Sequence, residues 1–200
     1  MDAKERLIES ARELLWDRGY VGMSPKAIQD RASAGQGSMY HHFENKEALA
    51  LTAIERSTEE LYQAAKNDLA SPHTAIERIA AYLKRERQVL RGCRAGKLTQ
   101  DPDVMANPKL RRPLQKMFTR LQQRLARVLE EGKMTGEFEP TMGAKDIAAT
   151  VIAVLQGAYV LARAENSVEP FDRAIRGVLF LLEAQTPPLR PKRKGLRNRT

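Results

Sequence analysis

Apolar residues recur along this chain at helical spacing, and no stretch alternates apolar and polar residues over the length of a strand. Leu7, Ile8, Ala11, Leu14 and Leu15 form one stripe, predicting a helix from about Ala3 to Arg18 that Gly19 ends. Trp16 lies off this stripe and is expected to be half-exposed against a neighbour. Ser24-Pro25 supplies an N-cap and a proline at the first helical position, so a short helix should run to about Ala32. Its inner face would carry Ala27, Ile28 and Ala32. Ser33-Ala34-Gly35 offers small residues for a tight turn, and a second short helix should follow from Gln36 to about His42. Asn45 then caps a long helix to about Asp68, carried by Leu49, Ala53, Ile54, Leu61, Ala64, Ala65 and Leu69.

Ser71-Pro72 marks a boundary. The next stripe, Ile76, Ile79, Ala80, Leu83 and Val89, predicts a helix from Thr74 to Leu90, broken by Arg91-Gly92-Cys93-Arg94-Ala95-Gly96. A loop or short helix should lead through Asp101-Pro102 and Met105. Asn107-Pro108 then opens a long helix that Gly132 and Gly136 close. After Glu139-Pro140, a helix from about Met142 to Ala164 is apolar nearly all round, and Pro170 opens a final apolar helix. The uncharged run Ile147–Ala162 is shorter than the roughly 20 residues of a membrane span, so it is expected to be a core or interface helix and no membrane is invoked. The fold class is all-α, with about nine helices. An N-terminal three-helix unit over 1–50 would include the start of the linking helix. A helical body over 51–186 would carry dimerisation. The last two helices of each of two subunits would form a homodimer through Val154, Leu155, Tyr159, Ile175, Leu179 and Leu182.

The net charge of +9 changes little about the N-terminal unit, whose acids and bases nearly balance. The excess lies in 51–140 and in the last eleven residues, where six cations meet no acid. Residues 187–200 are expected to be a disordered basic tail, either adding electrostatic affinity for DNA or only solubilising. The lone Cys93 and the absence of a signal peptide before the first helix suggest a reducing cytoplasm.

Residues 24–46 carry the most specific pattern. Met39 and Phe43 share one face of the second short helix, and the opposite face presents Gln36, Gly37, Ser38, Tyr40 and His41. Small groups permit close approach to a major groove. Gln36 and Ser38 can address base edges, while Tyr40 and His41 can reach phosphates, with Ser24 and Lys26 at the preceding helix start. Lys46 occupies the first turn of the long helix, where a cation opposes the helix dipole unless an anion such as a phosphate lies nearby. The segments A11-R-E-L-L-W-D-R-G-Y20, G37-S-M-Y-H-H-F43 and N45-K-E-A-L49, with Ile28, resemble the N-terminal domain of TetR-family repressors. The resemblance covers about residues 3–50. It implies an all-α homodimer that binds a palindromic double-stranded operator and releases it when a small-molecule effector binds. Ser33 stands where that family has a turn glycine, and Gly35 replaces a hydroxyl residue that caps the recognition helix.

Chemistry for catalysis is not visible. His41 and His42 lack the i, i+4 spacing of a helical metal pair, and no zinc spacing, phosphate loop or catalytic histidine pattern occurs. No metal, cofactor or enzyme activity is therefore expected. Twelve cations and three acids lie between Lys84 and Arg124, giving either solvated faces or attraction for an anionic effector or flanking DNA. Tyr82, Met105, Met117, Phe118, Leu121, Gln122, Gln156 and Tyr159 could line an effector pocket, and equally could be plain core. The reading is a ligand-responsive transcriptional regulator, a repressor in type. The alternative is a helical interaction bundle that binds no specific DNA.

Overall fold

The computed structural model describes residues 2–70, 73–137 and 142–185. The expected boundaries at Ser71-Pro72 and Glu139-Pro140 and the basic tail over 187–200 lie outside the described residues. Among those described, there is no strand, and ten α-helices and one 3-10 turn follow in order.

Helix α1 spans Ala3–Gly22, with Asp2 accepting from the Glu5 N–H at 2.8 Å. It is broken at Gly19, whose φ of +71° ends the regular helix where the sequence places its end. One further turn follows to Gly22. Helix α2 is Pro25–Ala32, capped by Ser24, whose hydroxyl accepts from the Ala27 N–H at 3.1 Å. Helix α3 is Gln36–His42, and its N-cap Gly35 makes no side-chain bond. A seven-residue helix is not stable alone. Met39 and Phe43 are buried among Ile28, Ala32 and the α1 stripe, and each contributes on the order of 1.5–3 kcal/mol by leaving water. That anchorage fixes α3 and leaves its other face in solvent.

Helix α4, Lys46–Asp68, is capped by Asn45 and packs along α1. The guanidinium of Arg12 is buried between them, donating to Ser57 Oγ at 3.0 Å, to Glu9 at 2.7 Å and to Glu60. Helix α5, Ala75–Lys84, opens with a capping box between Thr74 and Glu77. It stops six residues before the expected Leu90. The cause is Arg87, which folds back and donates to the carbonyls of Leu83 (2.9 Å), Arg85 (2.6 Å) and Tyr82, satisfying the open end of the helix. A 3-10 turn, Val89–Arg91, then leads to two short helices, α6 (Arg94–Leu98) and α7 (Pro102–Ala106). These account for the helix count above nine.

Helix α8, Pro108–Met134, runs through Gly132, which is buried within it rather than closing it; Gly136 at φ +73° follows its end. Helix α9, Ala144–Glu165, packs against α8 and α10 (Glu169–Glu183). By length and composition α9 could cross a bilayer. In the fold, its Ile147, Val151, Ile152, Leu155 and Tyr159 are buried against its neighbours.

The turn between α2 and α3 holds Ser33 in the left-handed region, φ 49° and ψ 46°. An L-residue there costs about 1–2 kcal/mol, and glycine's extra unfolded-state freedom offsets roughly half of this. Ser33→Gly should therefore stabilise the chain by about 0.5–1 kcal/mol, read as a raised urea midpoint at unchanged slope.

Candidate DNA-binding surface, head–body junction and cavities

The exposed face of α3 is built as its sequence implies. Gly37, Tyr40 and His41 are exposed, Ser38 is half-buried, and Gln36 takes the first position of the helix. Beyond the adjacent residues and the helix's own backbone, nothing lies within 4 Å of where a Cβ on Gly37 would stand, so the helix surface there is open to close approach. His41 and His42 are both exposed, their rings meeting edge-on at 4.9 Å. Among the described residues no group of three His, Cys, Asp or Glu could hold a metal. Lys26 is exposed at the start of α2, while the Ser24 oxygen is engaged as that helix's cap. Lys46 is half-buried, its ammonium 4.1 Å from the centre of the Tyr20 ring, and burial lowers its pKa.

The three-helix head is tied to the body by the segment 89–101. Trp16 is buried, more than expected for a residue off the main stripe, because this segment folds over it. Its indole N–H donates to the Gly92 carbonyl at 3.0 Å, and its own carbonyl accepts from Lys97. The guanidiniums of Arg91 and Arg94 lie 3.6 and 4.1 Å over its ring. They also bind acids of α1: Arg91 reaches Asp17 at 2.6 Å and Glu13 at 2.8 Å, and Arg94 reaches Glu13 at 2.8 Å. Asp101 accepts from the Tyr20 N–H at 2.7 Å with one oxygen and caps α7 with the other. At the base of α4, Glu47 accepts from Asn107 at 2.8 Å and Lys109 at 3.0 Å, which holds its carboxyl below the ordinary range. Little of this junction is written locally, because it joins residues 60 to 81 apart.

The eight expected pocket residues do not come together. Phe118, Gln156 and Tyr159 line one cavity of about 180 Å³ with Cys93, Gly96 and Lys97. Met117 borders a separate groove between α4 and α8, and Gln122 is exposed on a third surface beside the start of α9. Tyr82 and Leu121 are core residues, and Met105 is half-buried on α7. The helical period explains the scatter: Met117, Phe118, Leu121 and Gln122 point in different directions from α8. Tyr159 is buried, and that burial pushes its phenol pKa up to about 12. Cys93 caps α6, its sulfur accepting from the Gly96 N–H at 3.3 Å.

The apolar residues expected at the subunit contact also need correction. Leu155, Tyr159, Ile175, Leu179 and Leu182 are buried in the chain's own core, and only Val154 is half-buried. The apolar or small residues left exposed include Ala153, Val160, Leu161 and Ala164 on α9, Gly177, Phe180 and Leu181 on α10, and Ala184 just past its end. Phe180 is 70% and Leu181 66% exposed. The inner stripe at 171, 175, 178, 179 and 182 already fixes which residues of the last helix remain outside.

Known proteins share this architecture. The model for bacterial regulatory proteins of the tetR family matches residues 7–53, and that for the tetracyclin repressor-like C-terminal domain matches residues 73–178. The HTH-type transcriptional repressor DhaR of Mycobacterium sp. (strain GP1) is 24% identical over 186 residues, covering 92% of this chain and 93% of DhaR. The HTH-type transcriptional repressor NemR of Escherichia coli (strain K12) is 26% identical over 188 residues, covering 88% and 92%. The crystal structure of E. coli NemR in its reduced form superposes with a TM-score of 0.78 at 25% identity, covering 89% of this chain and 95% of that one. A TetR transcriptional regulator from Chloroflexus aurantiacus J-10-FL superposes with a TM-score of 0.80 at 25% identity, covering 92% and 96%. With both halves matched, and with an anchored α3 that turns its polar face outward, the chain belongs to the TetR family, whose members are DNA-binding transcriptional regulators rather than enzymes.

Proposed function

We propose that the chain is a ligand-released repressor that acts in the cytoplasm and binds a palindromic operator as a homodimer. The observation that carries this is α3: Met39 and Phe43 pin it to the head, while Gly37, Tyr40 and His41 face outward. Such a helix fits a major groove, and two heads of a dimer would enter successive grooves of one operator. Gln36 and Ser38 read bases. Tyr40, His41 and Lys46 hold phosphates, with Ser24 and Lys26 beside them. Lys46 would leave the Tyr20 ring for the phosphate.

The subunits meet through the exposed faces of α9 and α10 rather than through the buried residues behind them. Large apolar side chains as exposed as Val160, Leu161, Phe180 and Leu181, on two helices packed together, suit a subunit contact. Residues 51–186 carry both this contact and the effector site. A small molecule bound in the body shifts the population toward a head separation that no longer fits the operator. The segment 89–101 supports this route, since it lines the cavities of the body and grips Trp16 and Tyr20 of the head.

Selection of bound sequences from a randomised library tests the DNA reading. Gln36→Ala should relax preference at one position of each half-site, a loss of about 1–3 kcal/mol there. Lys46→Ala should weaken all sequences alike and flatten the salt dependence by about one unit per half-site. If neither variant differs from wild type, α3 is not the reader.

For assembly, Leu161→Glu combined with Phe180→Glu should yield folded monomers by sedimentation velocity, with helical circular dichroism retained. Leu155→Asp or Leu179→Asp should instead lose the fold, because a buried carboxylate has no partner there. A dimer surviving the outer double substitution would rule out this face.

A further inference from the structure

A cleft of about 360 Å³ opens at the head–body junction, between α1 and α4 on one side and the segment 85–94 with Tyr159 on the other. Its size lies at the lower end for small-molecule sites. Trp16, Leu61 and Ala64 supply apolar wall, and Arg87, Arg94 and Tyr159 supply polar groups. The charges of this cleft are not equivalent. Arg12 is bound to Glu9 and Glu60, Arg85 to Asp68 at 2.9 Å, and Arg94 to Glu13. Glu86 stands exposed at the rim.

Arg87 differs from these. It is half-buried, and among the described residues no carboxylate forms an ion pair with it. Three backbone carbonyls occupy three of the guanidinium's roughly five N–H donors, the Tyr159 hydroxyl is a further neutral partner, and the Tyr82 ring lies 5.5 Å away. Burial also lowers its pKa. A guanidinium in that condition favours a bidentate anion. The phenol of Tyr159 adds a hydroxyl on the same side of the cleft, beside Arg87.

We infer that this cleft is the effector seat and that the effector is a small organic anion with an apolar body, an aromatic carboxylate being the simplest case. The carboxylate pairs with Arg87 and the ring lies against Leu61, Ala64 and Trp16. This deepens the reading of the chain as an effector-released regulator and rests on it. The position gives the effector its leverage. It lies between the DNA-binding head and the segment that grips it, so occupancy spreads α4 from residues 85–94 and loads the bond from Trp16 to Gly92.

The test is calorimetric titration of the full chain with benzoate, phenylacetate and 2-naphthoate, each paired with its neutral amide, at constant ionic strength. The emission of Trp16, the one tryptophan of the chain, is a second readout. At least one carboxylate should bind saturably, at least tenfold more tightly than its amide, and shift that emission. Arg87→Gln should abolish the preference for the anion. Because Arg87 also closes α5, a second variant leaves it in place: Ala64→Glu puts a negative charge on the opposite wall. It should weaken the carboxylate at least fivefold and leave the amide unchanged. Absence of binding by all three carboxylates, equal binding of acid and amide, or an unchanged carboxylate affinity in Ala64→Glu would overturn the assignment. Sequence-specific DNA binding is measured on the same preparation. DNA binding without carboxylate binding refutes the seat alone, whereas carboxylate binding without DNA binding refutes the regulator.

Discussion

The hydrogen bond from the indole of Trp16 to the carbonyl of Gly92 is the contact on which the arrangement of head and body depends. An indole N–H buried without an acceptor costs about 1–3 kcal/mol, so the body must bring a carbonyl to it. Two glycines at positive φ make that approach geometrically feasible. Gly92, at φ +83°, turns the chain over the indole, and a Cβ there would press on Lys97 and Arg163 at 3.2–3.3 Å. Gly19, at φ +71°, presents the next N–H to Asp101, and a Cβ there would stand 2.6 Å from that carboxylate. Around the Trp16 bond, Lys97, Arg91, Arg94 and Asp101 add further ties from the same segment to α1.

This junction also explains a feature of composition that points nowhere by itself. The N-terminal fifty residues are not basic, although they belong to a DNA-binding family, and the cations gather in the body instead. Several of them turn back onto the head: Arg91 and Arg94 onto Glu13 and Asp17, and Lys109 onto Glu47. Partly exposed pairs of this kind are each worth only about 0–1 kcal/mol, so they set orientation more than stability. The charge excess in 84–124 is therefore in part internal complementarity, and it is a weaker pointer to DNA than its size implies.

Much of the fold was legible because helices are written locally. Ser24-Pro25, Asn45 and Asn107-Pro108 mark starts that the structure keeps, and the stripes of α1, α4 and α8 are buried as their spacing requires. The outward face of α3 followed from the positions of Met39 and Phe43 alone. The end of α5 was not legible, because it is set by a side chain, Arg87, returning to carbonyls two to five residues before it. Nor was the pocket. Apolar residues with nearby glutamines look alike in a core and in a cavity, and only packing separates Phe118 from Leu121. On α9, apolar nearly all round, which residues face the chain's own core depends on where α8 and α10 lie, whereas the period of α10 already separates its inner stripe from Phe180 and Leu181.

Helix α4 joins these features mechanically. Its first turn holds Lys46 against the Tyr20 ring and Glu47 clasped by Asn107 and Lys109, so a candidate phosphate contact and a body anchor are neighbours in sequence. Its far half borders the cleft at Glu60, Leu61 and Ala64. A rod of 23 residues is about 34 Å long, and pivoting it by about 5° at one end displaces the other by about 3 Å. That is the full length of a hydrogen bond. Under the proposed effector release, the head would need no refolding to let go of a phosphate: a stiff lever with a short input stroke would be sufficient.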